Sequence, residues 1–165
     1  MSKSKFYGYV LRNAGTPCQQ WALNEIPVSS HTVLTSTSTA SISTDGTIPA
    51  STVMINAAGV RTNTDGSFSL PQGIYHITYS FIAETAAAGE VIVTLSAGAT
   101  VVHTTEVATV ADGVDGTISG QVIGDVVVKS QSCSTSWMLK NASTTAMTPV
   151  LAGTESIRVI IEKIA

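Results

Sequence analysis

Charged side chains are scarce. Asp, Glu, Lys and Arg make up 12% of the 165 residues, about half the ordinary share of ~25%. Eight Lys and Arg against eleven Asp and Glu leave a net charge of −3. No basic cluster exists to release phosphate counterions, which excludes a nucleic-acid binder. Glu, Lys, Leu and Arg are too few for a coiled coil. Aromatics are only 5% of the chain. No apolar run approaches the ~20 residues of a membrane-spanning helix. Disorder is excluded as well, because it needs low hydrophobicity and high net charge. Here 44% of residues are hydrophobic and mean hydropathy is +0.30.

Cysteine is nearly absent: Cys18 and Cys133 are the only two, too few for a disulfide framework and not spaced as a metal site. Two unlinked thiols are the simpler reading. A bridge between them would close a loop of more than a hundred residues, nominally worth ~4–5 kcal/mol. A basic start, Lys3 and Lys5, precedes an apolar run that Gly8 interrupts and Arg12 stops. That run is too short for a signal peptide, so synthesis in the cytoplasm without a secretion signal is expected.

What the chain has in abundance is Ser and Thr, roughly a quarter of all residues and far above ordinary usage. Its dominant pattern has period two. Tyr75, Ile77, Tyr79 and Phe81 alternate with His76, Thr78 and Ser80, and Ile157, Val159 and Ile161 alternate with Arg158, Ile160 and Glu162. Each reads as a strand with one apolar face. Further runs rich in Thr, Val and Ile suit a pleated surface: 6–12, 20–26, 32–42, 52–55, 91–95, 100–107, 117–128 and 133–140. Asp-Gly pairs at 45–46, 65–66, 112–113 and 115–116 supply turns. Short strands with this punctuation predict an antiparallel sandwich or jelly roll. Residues 83–89 are Ala-rich but span only about two helical turns, and are read as a loop. No repeat of 20–50 residues is visible, against a propeller or solenoid.

The length fits one domain, with a folded surface near ~7,700 Å² against ~25,000 Å² unfolded. A composition shift near residue 50 divides a Ser/Thr-heavy first part from a regular strand-turn rhythm. Residues 1–50 are therefore read as an N-terminal attachment arm with short strands, and 51–165 as the main domain.

Two segments resemble a known superfamily. Phe68-Ser-Leu-Pro-Gln-Gly73-Ile-Tyr75-His-Ile-Thr-Tyr-Ser-Phe81 is similar to the central strand pair of the tumour necrosis factor/complement-component-1q-like jelly rolls. The tail from Gly153 to Ala165 looks like the closing strand of bacterial collagen-like exosporium glycoproteins. The resemblance covers 52–165. It implies an all-β, ten-stranded antiparallel jelly roll that assembles as a homotrimer at the tip of a fibre or stalk, and that binds or displays without catalysing. The chain has no Gly-X-Y tract, so the N-terminal segment would replace a collagen stalk. That raises a phage version of the domain: a capsid decoration or fibre protein on the virion, beside a spore-surface protein or a module binding a host glycan or receptor.

The candidate residues follow from these readings. Phe6, Tyr7, Tyr9 and Trp21 are candidate attachment anchors, since aromatics are enriched in buried interface cores. Tyr75, Tyr79, Phe81, Ile157, Val159 and Ile161 are candidate core or trimer-axis residues, and so is Trp137. His31, His76 and His103 are the only histidines, and no pair has metal-ligand spacing. His76 and His103 are read as hydrogen-bonded or exposed surface residues. No Gly-x-Ser-x-Gly elbow accompanies the many serines, so no hydrolase and no catalytic residue is assigned. Asp112 and Asp115 could ligate Ca²⁺, but turn formation explains that segment. Asn141-Ala-Ser143 matches a glycosylation sequon and is read as chance. No cofactor, metal, nucleic acid or membrane insertion is expected.

Overall fold

The computed structural model describes residues 30–85, 89–109, 118–151 and 155–165. The runs 6–12 and 20–26, the aromatics Phe6, Tyr7, Tyr9 and Trp21, Cys18, and the Asp112–Asp115 turn lie outside them. The described residues form twelve strands and no helix: β1 (His31–Ser36), β2 (Thr47–Ile48), β3 (Thr52–Asn56), β4 (Arg61–Thr62), β5 (Phe68–Ser69), β6 (Gly73–Thr85), β7 (Gly89–Ala97), β8 (Thr100–Thr109), β9 (Ile118–Ser130), β10 (Ser136–Asn141), β11 (Met147–Pro149) and β12 (Ile157–Lys163). Against the ten expected, three of these are two-residue pairings, β2, β4 and β5.

Two six-stranded antiparallel sheets face each other. In the first, β6 pairs on one edge with β9 along its whole length, from Gly73 opposite Ser130 to Thr85 opposite Ile118. Its other edge is shared by β12 and β11; β1 follows β12, and β3 closes that side. The second sheet runs β4-β5-β10-β7-β8, with β2 also on β10. Residues 31–36 and 47–48, on the arm side of the composition shift at residue 50, are thus strands of the two sheets, β1 between β12 and β3.

The alternation in β6 sets the core. Tyr75, Ile77, Tyr79, Phe81 and Ala83 are buried inward, with Ile157, Val159 and Ile161 of β12 beside them. They meet Val91, Val93, Leu95, Trp137 and Leu139 of the second sheet in one cluster. The residues read as core or trimer axis all lie in this core. Of the stretch 83–89 read as a loop, residues 83–85 are the end of β6 and Gly89 begins β7, while 86–88 lie outside the described residues. The inward rhythm continues through Ala83 and Thr85, and residues 83–85 are paired on both edges, with β11 and β9.

Other bounds differ for local reasons. The 32–42 run stops at Ser36 because hydroxyls capture the following backbone: Ser38 N donates to Ser36 Oγ (3.1 Å) and Ala40 N to Ser38 Oγ (3.3 Å). Such side-chain bonds compete with a sheet ladder. Only Ile42 rejoins, bridging Met147. Likewise β10 starts at Ser136 rather than 133, after Ser132 accepts from Thr135 N (3.2 Å) and Ser134 N (3.2 Å).

Tyr79 links the sheets. Its hydroxyl shares a 2.7 Å hydrogen bond with Thr105 of β8, and its ring meets His103 edge-on at 6.3 Å. The ring lies across Gly124 of β9, where any Cβ would fall inside it. Glycine is required there by close approach. Tyr79→Ala is expected to cost about 3–5 kcal/mol, as for other buried aromatics, and Gly124→Ala about 1–3 kcal/mol through overpacking. Urea unfolding should show the double variant Tyr79→Leu/Gly124→Ala to be less destabilised than the sum of its single changes.

Candidate functional site

With the inward residues of β6, β9 and β12 committed to the core, their alternate residues form an outward face. β6 contributes Ile74, His76, Thr78, Ser80 and Ile82, β9 contributes Gln121, Ile123, Asp125, Val127 and Lys129, and β12 contributes Arg158, Ile160 and Glu162. At its centre His76 is held between two carboxylates on neighbouring strands. Its Nε2 lies 2.8 Å from Asp125 Oδ1 and its Nδ1 3.4 Å from Glu162 Oε2. Thr78 adds a longer bond to Asp125 Oδ2, at 3.4 Å, and Gln121 Nε2 donates to Ser80 Oγ at 3.3 Å.

The imidazolium can donate from both nitrogens to both acids, whereas the neutral ring keeps one lone pair facing an acid. The hydrogen bond to Asp125, reinforced by Glu162, therefore raises the His76 pKa above its ordinary value. The expectation that His76 is a hydrogen-bonded surface residue matches this geometry. His103 sits differently, half-buried against Tyr79. His31 stands at the start of β1 opposite Glu162. Among the described residues no group of three or more His, Cys, Asp or Glu is placed to hold a metal ion. Nor is any helix long and apolar enough to cross a membrane.

Large apolar side chains are exposed at both edges of this sheet, and also at Val101 and Val102 of β8 in the second sheet. On β9, Ile123 and Val127 are each 60% exposed. At the opposite edge, every residue of β3 is exposed, with Val53, Met54 and Ile55 in succession. Sequence reasoning identified both runs as strands but did not see that their apolar residues stay uncovered. Period two marks faces; it does not say whether a face has a neighbour.

The remaining candidates are structural. Asn141 is fully buried, and its Nδ2 donates to the carbonyls of Ile42 (3.0 Å), Ser43 (3.2 Å) and Thr145 (3.0 Å) while Oδ1 accepts from Ser143 N (2.8 Å). The sequon is thus a clamp on the 42–46 turn, in which Asp45 adopts a left-handed φ of 62°. Asp65 accepts from the Ser67 hydroxyl (2.6 Å) and amide (3.0 Å), which lowers its pKa. Tyr75 donates to the Pro71 carbonyl (2.9 Å), and burial pushes its phenol up to about 12. Trp137 Nε1 is buried with no hydrogen-bond partner among the described residues. A shallow groove of about 250 Å³ beside the turn is lined by Ser38, Ala40, Ser41, Ile42, Ser43, Gly46, Thr47 and Pro49. Its hydroxyls offer neither a charge nor an aromatic stacking surface.

No protein-family model matches the chain, and no curated protein does. Solved structures match well. The tumour necrosis factor Eiger of S. frugiperda superposes with a TM-score of 0.66 at 8% identity, over 83% of this chain and 93% of that one. The globular domain of the zebrafish complement 1qA protein gives 0.56 at 12% identity, over 83% and 98%. Murine APRIL gives 0.53 at 10% identity, over 80% and 98%. The chain therefore has the tumour necrosis factor/complement-1q-like jelly-roll fold.

Two outcomes are expected. Asn141→Ala should destabilise the fold by about 1–3 kcal/mol, because buried partners lose their hydrogen bonds, read by thermal unfolding. The His76 contribution to stability is fully present below the unfolded value of about 6.5 and is lost as pH rises through the higher folded value. Nuclear magnetic resonance titration should place the His76 midpoint above about 6.5, and Asp125→Asn should bring it down.

Proposed function

We propose that this chain is a non-enzymatic structural and display protein: a homotrimeric jelly roll carried on a virion, as a capsid decoration or fibre component, through its N-terminal arm. The observation that carries the reading is the pair of uncovered apolar edges on one sheet, Ile123 and Val127 on β9 and Val53, Met54 and Ile55 on β3. A two-fold contact matches a patch with itself. Patches on opposite edges instead match one copy's β9 side to the next copy's β3 side, a head-to-tail contact that gives a ring where the rotation between copies closes and a filament where it does not. The resemblance to the superfamily supports a ring of three copies.

Charge scarcity supports the same reading. A chain with 12% charged residues has few means of keeping such edges solvated, and obligate interfaces resemble cores cut in half. The arm reading rests on Phe6, Tyr7, Tyr9 and Trp21, whose type suits burial in a neighbouring protein. A spore surface in place of the virion, or a tip that binds a host glycan or receptor, uses the same trimer and differs in what the arm or the loops touch.

Light scattering should give a trimer at micromolar protein. Ile123→Lys or Met54→Lys should yield folded single copies, since a lysine at either edge must be desolvated on assembly; a wild-type chain that stays single would overturn the reading. Deleting residues 1–26 should leave a soluble trimer that no longer attaches to its particle.

A further inference from the structure

We propose that His76, Asp125 and Glu162 make assembly of this chain pH-dependent, with the trimer favoured when His76 is protonated and loosened when it is neutral. This rests on the head-to-tail trimer described above and names how that contact is regulated. On β9 the outward residues are, in order, Ile123, Asp125 and Val127. Any second copy that covers the two aliphatic side chains also covers the carboxylate between them. Asp125 is bonded to His76, which stands directly opposite Val127.

Burial makes the charge state of this group decisive. With His76 protonated, one cation sits between two carboxylates and the cluster carries −1. With His76 neutral, it carries −2, and each copy in the ring must desolvate that excess negative charge. From β9, Asp125 and, further along, Lys129 lie on the imidazole's side of the sheet; from β12, Glu162 does; His31 of β1 lies across Glu162, and Arg158, four residues back along β12, is engaged with Glu155 at 3.6 Å. On the strands flanking β6, the two acids are the charged groups in direct contact with the imidazole.

The test is light scattering across a dilution series of the full chain at about pH 5 and about pH 9, spanning the histidine range, with circular dichroism reporting the fold. The wild type should dissociate at concentrations about tenfold higher or more at the upper pH. His76→Gln should abolish the difference, and Asp125→Asn should move the transition to lower pH. A trimer equally tight at both pH values, or the same pH response in His76→Gln, overturns the switch alone. Single copies at every pH overturn the trimer, and the switch with it.

Discussion

The close approach of Tyr79 to Gly124 is the constraint on which most of this structure depends. β6 is flanked on both edges and alternates without interruption over its length, so every inward side chain on it must find space between the sheets. Tyr79 finds it only because β9 presents a glycine opposite. The ring can then reach across to Thr105 and His103 of β8. One missing Cβ thereby fixes the register of β6 against β9 and the spacing of the two sheets. A one-residue slip would reverse every face along both strands. The same register dictates the outward face, because placing Tyr79 opposite Gly124 also places Thr78 beside Asp125 and His76 beside Val127.

How much of this could be read in advance depended on whether one residue carried enough information. In β6 and β12 the apolar and polar residues alternate cleanly, so the inward sets, Tyr75 to Phe81 and Ile157 to Ile161, were legible from spacing alone. β1 offers no such contrast. It is buried at five successive positions, 32–36, and only its β-branched content marks it as a strand. Its end was not legible, because serine hydroxyls at 36 and 38 take the backbone out of the ladder, and serine in a Thr/Ser-rich run reads equally as strand or turn. The end of β6 is obscured in the opposite direction: an alanine-rich stretch too short for a helix reads as a loop, whereas pairing with β9 and β11 on both edges carries the strand through Thr85.

The site was harder to see for a different reason. His76 was visible as an outward histidine, but its partners lie 49 and 86 residues away in the chain. Only the pairing of β6 with both β9 and β12 brings the three together. Asn141 shows the converse: a local motif matches a modification site, yet the folded chain spends the amide nitrogen on three carbonyls and its oxygen on the Ser143 amide. A sequon is a surface feature only where the backbone around it leaves the side chain outside.

The scarcity of charge and the openness of the edges belong to one argument. An exposed edge strand is ordinarily blunted by lysine, proline or an inward charge, because its unpaired backbone otherwise recruits other chains. β3 has none of these in its five residues and is apolar at its three central positions. β9 does carry a charge between its two exposed aliphatics, but Asp125 is tied to His76. An edge left unguarded on one side, and guarded by a titratable pair on the other, is poorly suited to a solitary domain. It suits the head-to-tail assembly proposed above, in which β3 would supply the apolar complement and the β9 side the condition for meeting it.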